Sequence, residues 1–359
     1  MGEDARWNVL NAPFLIGTLV LAVVLVPYHL FHTRALGLEL GVASVMFIAI
    51  GLGVTAGYHR LFSHRTYQAS WLLRLVLLCL GAASFQNSAL RWSSDHRLHH
   101  RFVDTDRDPY TIKKGFWHAH WIWVMESRSH PLQGVADLEK DPLVLWQDRH
   151  YFLIGALVAS IPLAIGLATH DLWGLFVMGV LFRIVLTHHT TFLINSAAHW
   201  FGTRPYTDAN TARDNPLLAP FTFGEGYHNF HHMWPGDYRN GVRWYQFDST
   251  KWLLIGLSWL GLASHFKRVP DATIRRARLA MEEKTLRARL ANAPPSLAEK
   301  LRARLEAAHT RLDVALASFQ TNREVRTAEW KATMLERRAE LRIAWSEWKA
   351  ARFLVRKLA

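Results

Sequence analysis

The sequence predicts an all-α membrane protein: four transmembrane helices, a helical cap rich in histidine, and a basic helical extension after residue 269. Three observations carry this. Half of the 359 residues are apolar although mean hydropathy is zero, so an apolar part is averaged with a very polar one. Four apolar runs approach the ~20 residues needed to cross hydrocarbon. The 20 histidines gather in clusters beside those runs.

Taken in order, Met1–Asp4 is acidic and lacks the basic flank of a signal peptide, so the first run, about Phe14 to Leu30, is expected to be a retained span. A second runs from about Leu40 to Tyr58, and only His29, His32 and Arg34 mark the turn between them. From His59 to His150 the chain is mostly polar with about a dozen Lys and Arg; the positive-inside rule puts this loop, and the N-terminus with it, in the cytoplasm. Within it, Trp71 to Leu80 is too short to cross and reads as a half-inserted or surface helix. The single cysteine, Cys79, lies there as a small buried hydrophobe and excludes an intrachain disulfide or a Cys-based metal site. Tyr151–Thr169 and Leu172–Leu193 form a second hairpin about His170-Asp171, with Pro162 tolerated inside a membrane helix. Asn195 to Lys251 returns to the cytoplasmic side, and Trp252–Ala263 is a docking helix rather than a fifth span.

After Pro270 the composition changes to Ala, Arg, Glu and Leu. Residues 271–359 hold 20 Lys and Arg against 11 Asp and Glu, a surplus of nine out of the net +13. In a chain with spans, that surplus points to an anionic membrane surface rather than nucleic acid. Ser296-Leu297-Ala298-Glu299 is a capping box after Pro294-Pro295, so one helix ends near Asn292 and another starts near Ser296. Leu301, Leu305, Ala308, Leu312, Leu316 and Phe319 alternate by four and three; after a break near Asn322 the pattern resumes at Trp330, Met334, Leu341, Trp345 and Trp348. This is a long amphipathic or coiled-coil helix that self-associates or lies back on the body and membrane, or else a solvated appendage.

The chemistry lies in three histidine boxes. His228, His231 and His232 stand at i, i+3 and i+4, as do His96, His99 and His100, so each trio shares a helical face and can converge on one metal. His59 and His64 are five apart, about 140° on an α-helix, and so feed different metals or flank a helix end. His199 follows Asn195 by four residues. Nine candidate ligands are too many for one centre, and two metals with four or five nitrogens each would consume them. Imidazole suits iron, copper, zinc and nickel. Structural zinc favours closed Cys/His sites, so a redox-active pair with an open position fits better. A bis-His haem would leave seven histidines unexplained, and a metal transporter should carry its ligands within the spans. His118, His120, His188 and His189 are read as interfacial or supporting residues, and Asp95 and Glu225 as carboxylates that could orient imidazoles.

The words around these histidines, Thr55-Ala56-Gly57-Tyr58-His59-Arg60-Leu61-Phe62-Ser63-His64-Arg65-Thr66-Tyr67, Asn195-Ser196-Ala197-Ala198-His199 and Gly224-Glu225-Gly226-Tyr227-His228-Asn229-Phe230-His231-His232, resemble the integral-membrane fatty acid desaturases, specifically the acyl-CoA Δ9 (stearoyl-CoA type) enzymes. The resemblance covers about Ala12 to Val269. It implies a non-haem centre of two iron ions that activates oxygen and leaves a cis double bond in a saturated fatty acyl chain. It carries over the nine histidines as ligands, Asn195 as holder of a metal-bound water, Gln86, Trp92 and Thr191 with neighbouring Phe192 as the bend in the substrate tunnel, and Asn87, Asp95 and Arg128 as headgroup contacts. Zinc, which ranks above iron(II) in affinity, is the expected substitute in overexpressed protein. Two departures leave the carrier open among coenzyme A, acyl carrier protein and a lipid. Ser94 stands where acyl-CoA members have a basic residue before the Asp, and of a paired basic motif only Arg128 remains, beside Ser129. With no fused cytochrome motif, dinucleotide fingerprint or Cys cluster, electrons are expected from a separate ferredoxin, rubredoxin or cytochrome with its reductase. Together with the unusual extension, this suggests a bacterial inner-membrane enzyme with its active site and both termini cytoplasmic. The rivals are a hydroxylase of alkanes or lipids using the same boxes, and a non-catalytic metal-binding or transport protein.

Overall fold

The computed structural model describes residues 7–126, 131–291, 295–324 and 330–357. The chain forms two compact units, Met1–Thr203 with Asn210–Arg268, and Arg204–Ala209 with Val269–Ala359.

In the first unit, four helices are long and apolar enough to cross a membrane: Asn11–His32, Leu36–Ser63, Tyr151–Thr169 and Leu172–Trp200. Only 17% and 28% of the first and third are buried, against 50% and 56% of the second and fourth, so the latter are the inner pair. Both inner helices run past their apolar stretches, the second through His59 to Ser63 and the fourth through His199 to Trp200. The outward faces expose Val20, Val23, Phe31, Val45, Phe152 and Leu157, the surface that hydrocarbon covers. Glu39, fully buried in the second span, meets His29 Nε2 of the first at 2.7 Å and the Thr33 hydroxyl, so these three polar groups satisfy one another.

The second span changes from α-helix to π-helix at Gly53. There it closes on helix Trp71–Ala82: a Cβ on Gly53 would lie 2.6 Å from the Leu80 Cβ. Ser70 Oγ caps that short helix at Leu73 N–H, and its face of Leu73, Leu77 and Leu78 enters the core beside Tyr58 and Phe62. Ser88 caps the next helix, Ala89–Phe102, in the same way. Helix Ser249–Trp259 is too short to cross, and the ladder Gln68–Ala69 with Ala263–Ser264 fastens the chain that follows it.

The second unit is built on three helices, Asp271–Leu290, Pro295–Glu324 and Trp330–Arg356. Their apolar stripes meet: Leu286 and Leu290 with Leu305 and Leu312 and with Trp348. Arg352 Nη1 and Trp348 Nε1 donate to Glu282 at 2.7 and 3.2 Å across two of these helices. The 4-3 pattern expected to mark one long helix is thus folded back and buried within the chain. The break expected near Asn322 falls beside the end of the middle helix, which is described to Glu324; residues 325–329, between it and the last helix, lie outside the described residues. The expected helix end near Asn292 lies outside the described residues, as do the side chains of Phe319 and Trp330.

Candidate metal centre

The three boxes and His199 converge at the ends of the two inner spans. They sort into two groups, His59, His64, His96, His100 and His231 in one, and His99, His199, His228 and His232 in the other, with ligand atoms within 4.8 Å of one another in each. This corrects the expectation that each trio serves one metal. The i, i+4 members of each box stay together, while the middle member of each, His99 or His231, joins the opposite group. The reason is angular: on an α-helix, i+3 and i+4 lie about 100° apart, so a helix running between two centres presents one to each. The His59/His64 pair is resolved by the π-turn. His64 N–H donates to His59 O at 3.1 Å, an i to i+5 bond that brings both rings, 4.9 Å apart, into the same group.

The boxes are set by their surroundings. Helix His228–Met233 begins after Gly224 and Gly226; Gly224 has φ +106°, and a Cβ on Gly226 would meet Ala219 N at 2.6 Å. Asp214 Oδ1 accepts Phe230 N–H at 3.0 Å, and Asn229 Nδ2 donates to Ala212 O at 2.9 Å.

Outside the cluster, Nδ1 atoms find acceptors. His99 Nδ1 lies 2.8 Å from Asp108 Oδ1, and His199 Nδ1 lies 2.8 Å from the Thr211 hydroxyl, which donates to Asp104 Oδ1 at 2.6 Å. His59 Nδ1 lies 3.0 Å from Glu225 Oε2, and His96 Nδ1 is 3.2 Å from Tyr110 Oη. A proton kept on Nδ1 leaves an Nε2 lone pair facing inward. Those Nε2 atoms then face each other: His59–His231 at 3.0 Å, His64–His96 at 2.8 Å, His100–His231 at 2.9 Å, His99–His232 at 3.2 Å, and His228 with His199 and His232 at 3.1 Å each. Lone pairs packed this closely repel unless a cation lies among them. With metal–nitrogen bonds of about 2.1 Å, neighbouring nitrogens are about 3.0 Å apart at right angles and about 3.4 Å apart at the tetrahedral angle. The contacts, 2.8 to 3.2 Å, fall in the range that nitrogens sharing a metal ion would take, and the donor set fits metal ions.

Electrostatics agree. Burial first, and then the neighbouring imidazoles, hold His64, His96, His100, His228, His231 and His232 well below the usual histidine range, so they are neutral, the form that ligates. Burial alone would raise the Glu225 carboxyl, but the facing His59 and Arg60 outweigh it and lower it, leaving a carboxylate to orient His59.

An apolar cavity of about 470 Å³ has His59, His96, His228 and Asn195 in its wall. Its size falls within the range that encloses a small ligand. Gln86, Asn87, Trp92, Asp95, Thr191 and Phe192 all line it. Gln86 Nε2 donates to Thr191 Oγ1 at 3.1 Å, bridging the turn at residues 83–88 to the fourth span, and the Trp92 indole stacks on His96 at 4.9 Å. Arg128 lies outside the described residues. Ser94 is buried and bonds Gln133, its Oγ accepting Gln133 N–H at 2.8 Å. His118, His120, His188 and His189 are in neither group: His120 bonds His189 and Ser196, and His188 Nε2 donates to Ser84 O at 2.8 Å.

Residues the sequence reasoning passed over include Asp104, Asp108, Tyr110 and Thr211, which orient ligands from loops without a spacing signal. Arg183 is another. It is fully buried in the fourth span and donates from Nη1 to Ala83 O at 2.9 Å. With His188 it pins the strained turn, in which Phe85 and Asn87 have φ of 54° and 76°. A lone arginine in an apolar run was the available signal.

The family model described as fatty acid desaturase matches residues 38–258. The chain is 41% identical over 284 residues to the probable acyl-CoA desaturase of Schizosaccharomyces pombe, covering 78% of this chain and 58% of that one. It is 41% identical over 249 residues to acyl-CoA desaturase 1 of Saccharomyces cerevisiae, covering 68% and 49%, so it spans about half the length of these two relatives. It is also 38% identical over 238 residues to an acyl-CoA Delta12-desaturase of Acheta domesticus, covering 62% and 66%.

Proposed function

The chain belongs to the fatty acid desaturase family, and on that premise we propose that it inserts a cis double bond at carbon 9 of a saturated fatty acyl chain carried on coenzyme A. The observation that carries this is that an apolar cavity is lined by His59 and His96 of one histidine group and His228 of the other. A saturated chain offers no polar handle, so one C–C bond is selected only by fixing depth and bend. Trp92, Thr191, Gln86 and Phe192 form that wall, with Asn87 and Asp95 near the headgroup. Two iron ions, one per histidine group, supply oxygen activation when bound, with zinc the substitute in overexpressed protein. Asn195, in the cavity wall, would hold a metal-bound water. Asp108, Glu225 and Thr211 keep protons on Nδ1 and hold the rings in place, and the apolar wall keeps bulk water from the reacting carbons.

In the overall reaction two C–H bonds break and one C=C forms. One dioxygen takes those two hydrogens, two electrons and two protons, and leaves as two waters. The electrons come from a separate ferredoxin, rubredoxin or cytochrome with its reductase, drawn to a basic face. The cap and both termini lie on the cytoplasmic side, a reading supported by the basic loop between the second and third spans; nothing beside it supports the expected bacterial inner membrane, since the relatives above are eukaryotic. All three of these relatives are named for acyl-CoA, which supports that carrier; one of them, named for Delta12 chemistry, makes bond position a property to be measured.

The test is expression in a desaturase-deficient cell followed by analysis of fatty acid methyl esters, with His232→Ala as the control expected to be inactive. An alcohol product would identify a hydroxylase. Full activity in His232→Ala, or no oxygen consumption coupled to reductant, would overturn the proposal.

A further inference from the structure

The last helix, Trp330–Arg356, buries Met334, Ala344, Trp348, Ala351 and Val355 on one side. On another, Leu335, Arg338, Arg342, Trp345, Lys349 and Phe353 follow one another at three- and four-residue steps and are all exposed. They form one stripe, which Lys357 extends to about 33 Å at about 1.5 Å per residue. The stripe has no acid: Glu336, Glu340 and Glu347 stand on the remaining sides. Its four cations have no acidic partner among the described residues, whereas Arg337, Arg352 and Arg356 of the same helix pair with Glu340 and Glu282. Its apolar members stay in solvent, Leu335 at 66%, Phe353 at 57% and Trp345 at 36% exposure. Beside it opens a cleft of about 310 Å³, with Arg275, Arg338 and Arg342 around Leu316, Leu341 and Trp345.

Cations alone would suit any polyanion. Here Leu335, Trp345 and Phe353 are interspersed among the cations; large apolar side chains gain nothing from an acidic protein or nucleic acid but enter the acyl boundary of a bilayer while the guanidiniums meet phosphates. We propose that this stripe, with the Arg275 cleft, docks on an anionic phospholipid surface. It is independent of the catalytic reading and uses residues outside the stretch matched to the family, 38–258.

The test uses the full chain with Cys79→Ala, an environment-sensitive dye on Ser346→Cys beside the stripe, and a second preparation labelled at Glu340→Cys away from it. In nanodiscs of phosphatidylcholine containing phosphatidylglycerol, the dye at position 346 should shift to the blue and the one at 340 should not; in phosphatidylcholine alone neither should. At about fivefold per cation, Arg338→Gln with Arg342→Gln should weaken the response to phosphatidylglycerol about 25-fold. Should that variant lose helicity, a salt titration of the unsubstituted stripe reads the same contact, because the shift should vanish as screening rises. An absent shift, an equal shift in both lipids, or a shift produced by a DNA oligonucleotide or polyglutamate and not by phosphatidylglycerol would overturn the proposal.

Discussion

Trp92→Ala tests the cavity wall and the ligand shell together. The indole lines the cavity, packs on the core containing Tyr58 and Leu90, and stacks on His96 at 4.9 Å with an interplanar angle of 25°. Without the wall, acyl registers one methylene apart differ by the burial of one CH₂, about 0.8 kcal/mol. That is roughly a fourfold preference, so neighbouring positional isomers should rise to on the order of a fifth of the product. Loss of the stack, worth about 0.5–1.5 kcal/mol, should loosen His96 and weaken metal retention several-fold. Trp92→Phe separates the two roles: it keeps an aromatic face for His96 while opening part of the wall, so it should retain metal and still broaden the product. The assay is mass spectrometry of derivatised esters, with metal content measured on the same preparations. A single isomer at wild-type rate from Trp92→Ala would refute the reasoning and move the tunnel elsewhere.

Asp108→Asn removes the carboxylate that fixes His99 and should lower metal affinity of the four-histidine group about 10- to 100-fold; chelator titration with elemental analysis checks this, and an unchanged affinity contradicts it. Burial, and then His189, hold His120 down to about 4, below its unfolded value, so its contribution to stability is complete above the unfolded pKa of about 6.5 and declines as pH falls toward 4. His120→Gln should therefore flatten the acid side of a melting-temperature profile of the purified protein, and an unchanged slope would count against it. Arg183→Met removes a buried cation that bonds Ala83 O, so melting should hold steady or rise while product position broadens; a fall of more than about 5 °C, or an unbroadened product, would show otherwise. Truncation after Val269 should keep metal and turnover per folded molecule, since all nine histidines lie before it; metal-replete, folded protein without product would make the extension part of catalysis.

The sequence alone determined which ligand atoms are available and which segments are long and apolar enough to span a membrane, because those properties are local. Apolar runs long enough to span and the H-x-x-H-H spacings are both read along a short continuous stretch of chain. Helical periodicity could also say that His228 and His232 share a face. It could not say which histidines share a group, because His100 meets His231 across 131 residues and His64 meets His96 across 32. Nor could spacing announce the π-turn that gathers His59 with His64, since the backbone switches hydrogen-bond pattern where Gly53 packs on Leu80. The same holds for Arg183, legible as a charge in an apolar run but given its role by a carbonyl 100 residues earlier. In the extension the heptad-like pattern was plain, and tertiary structure decided that its apolar stripe is consumed by neighbouring helices of the same chain, leaving the basic stripe outside. Short-range order follows from backbone geometry and residue type; the pairing of distant elements follows from which packed arrangement satisfies buried polar groups while excluding water, and only the folded chain supplies that.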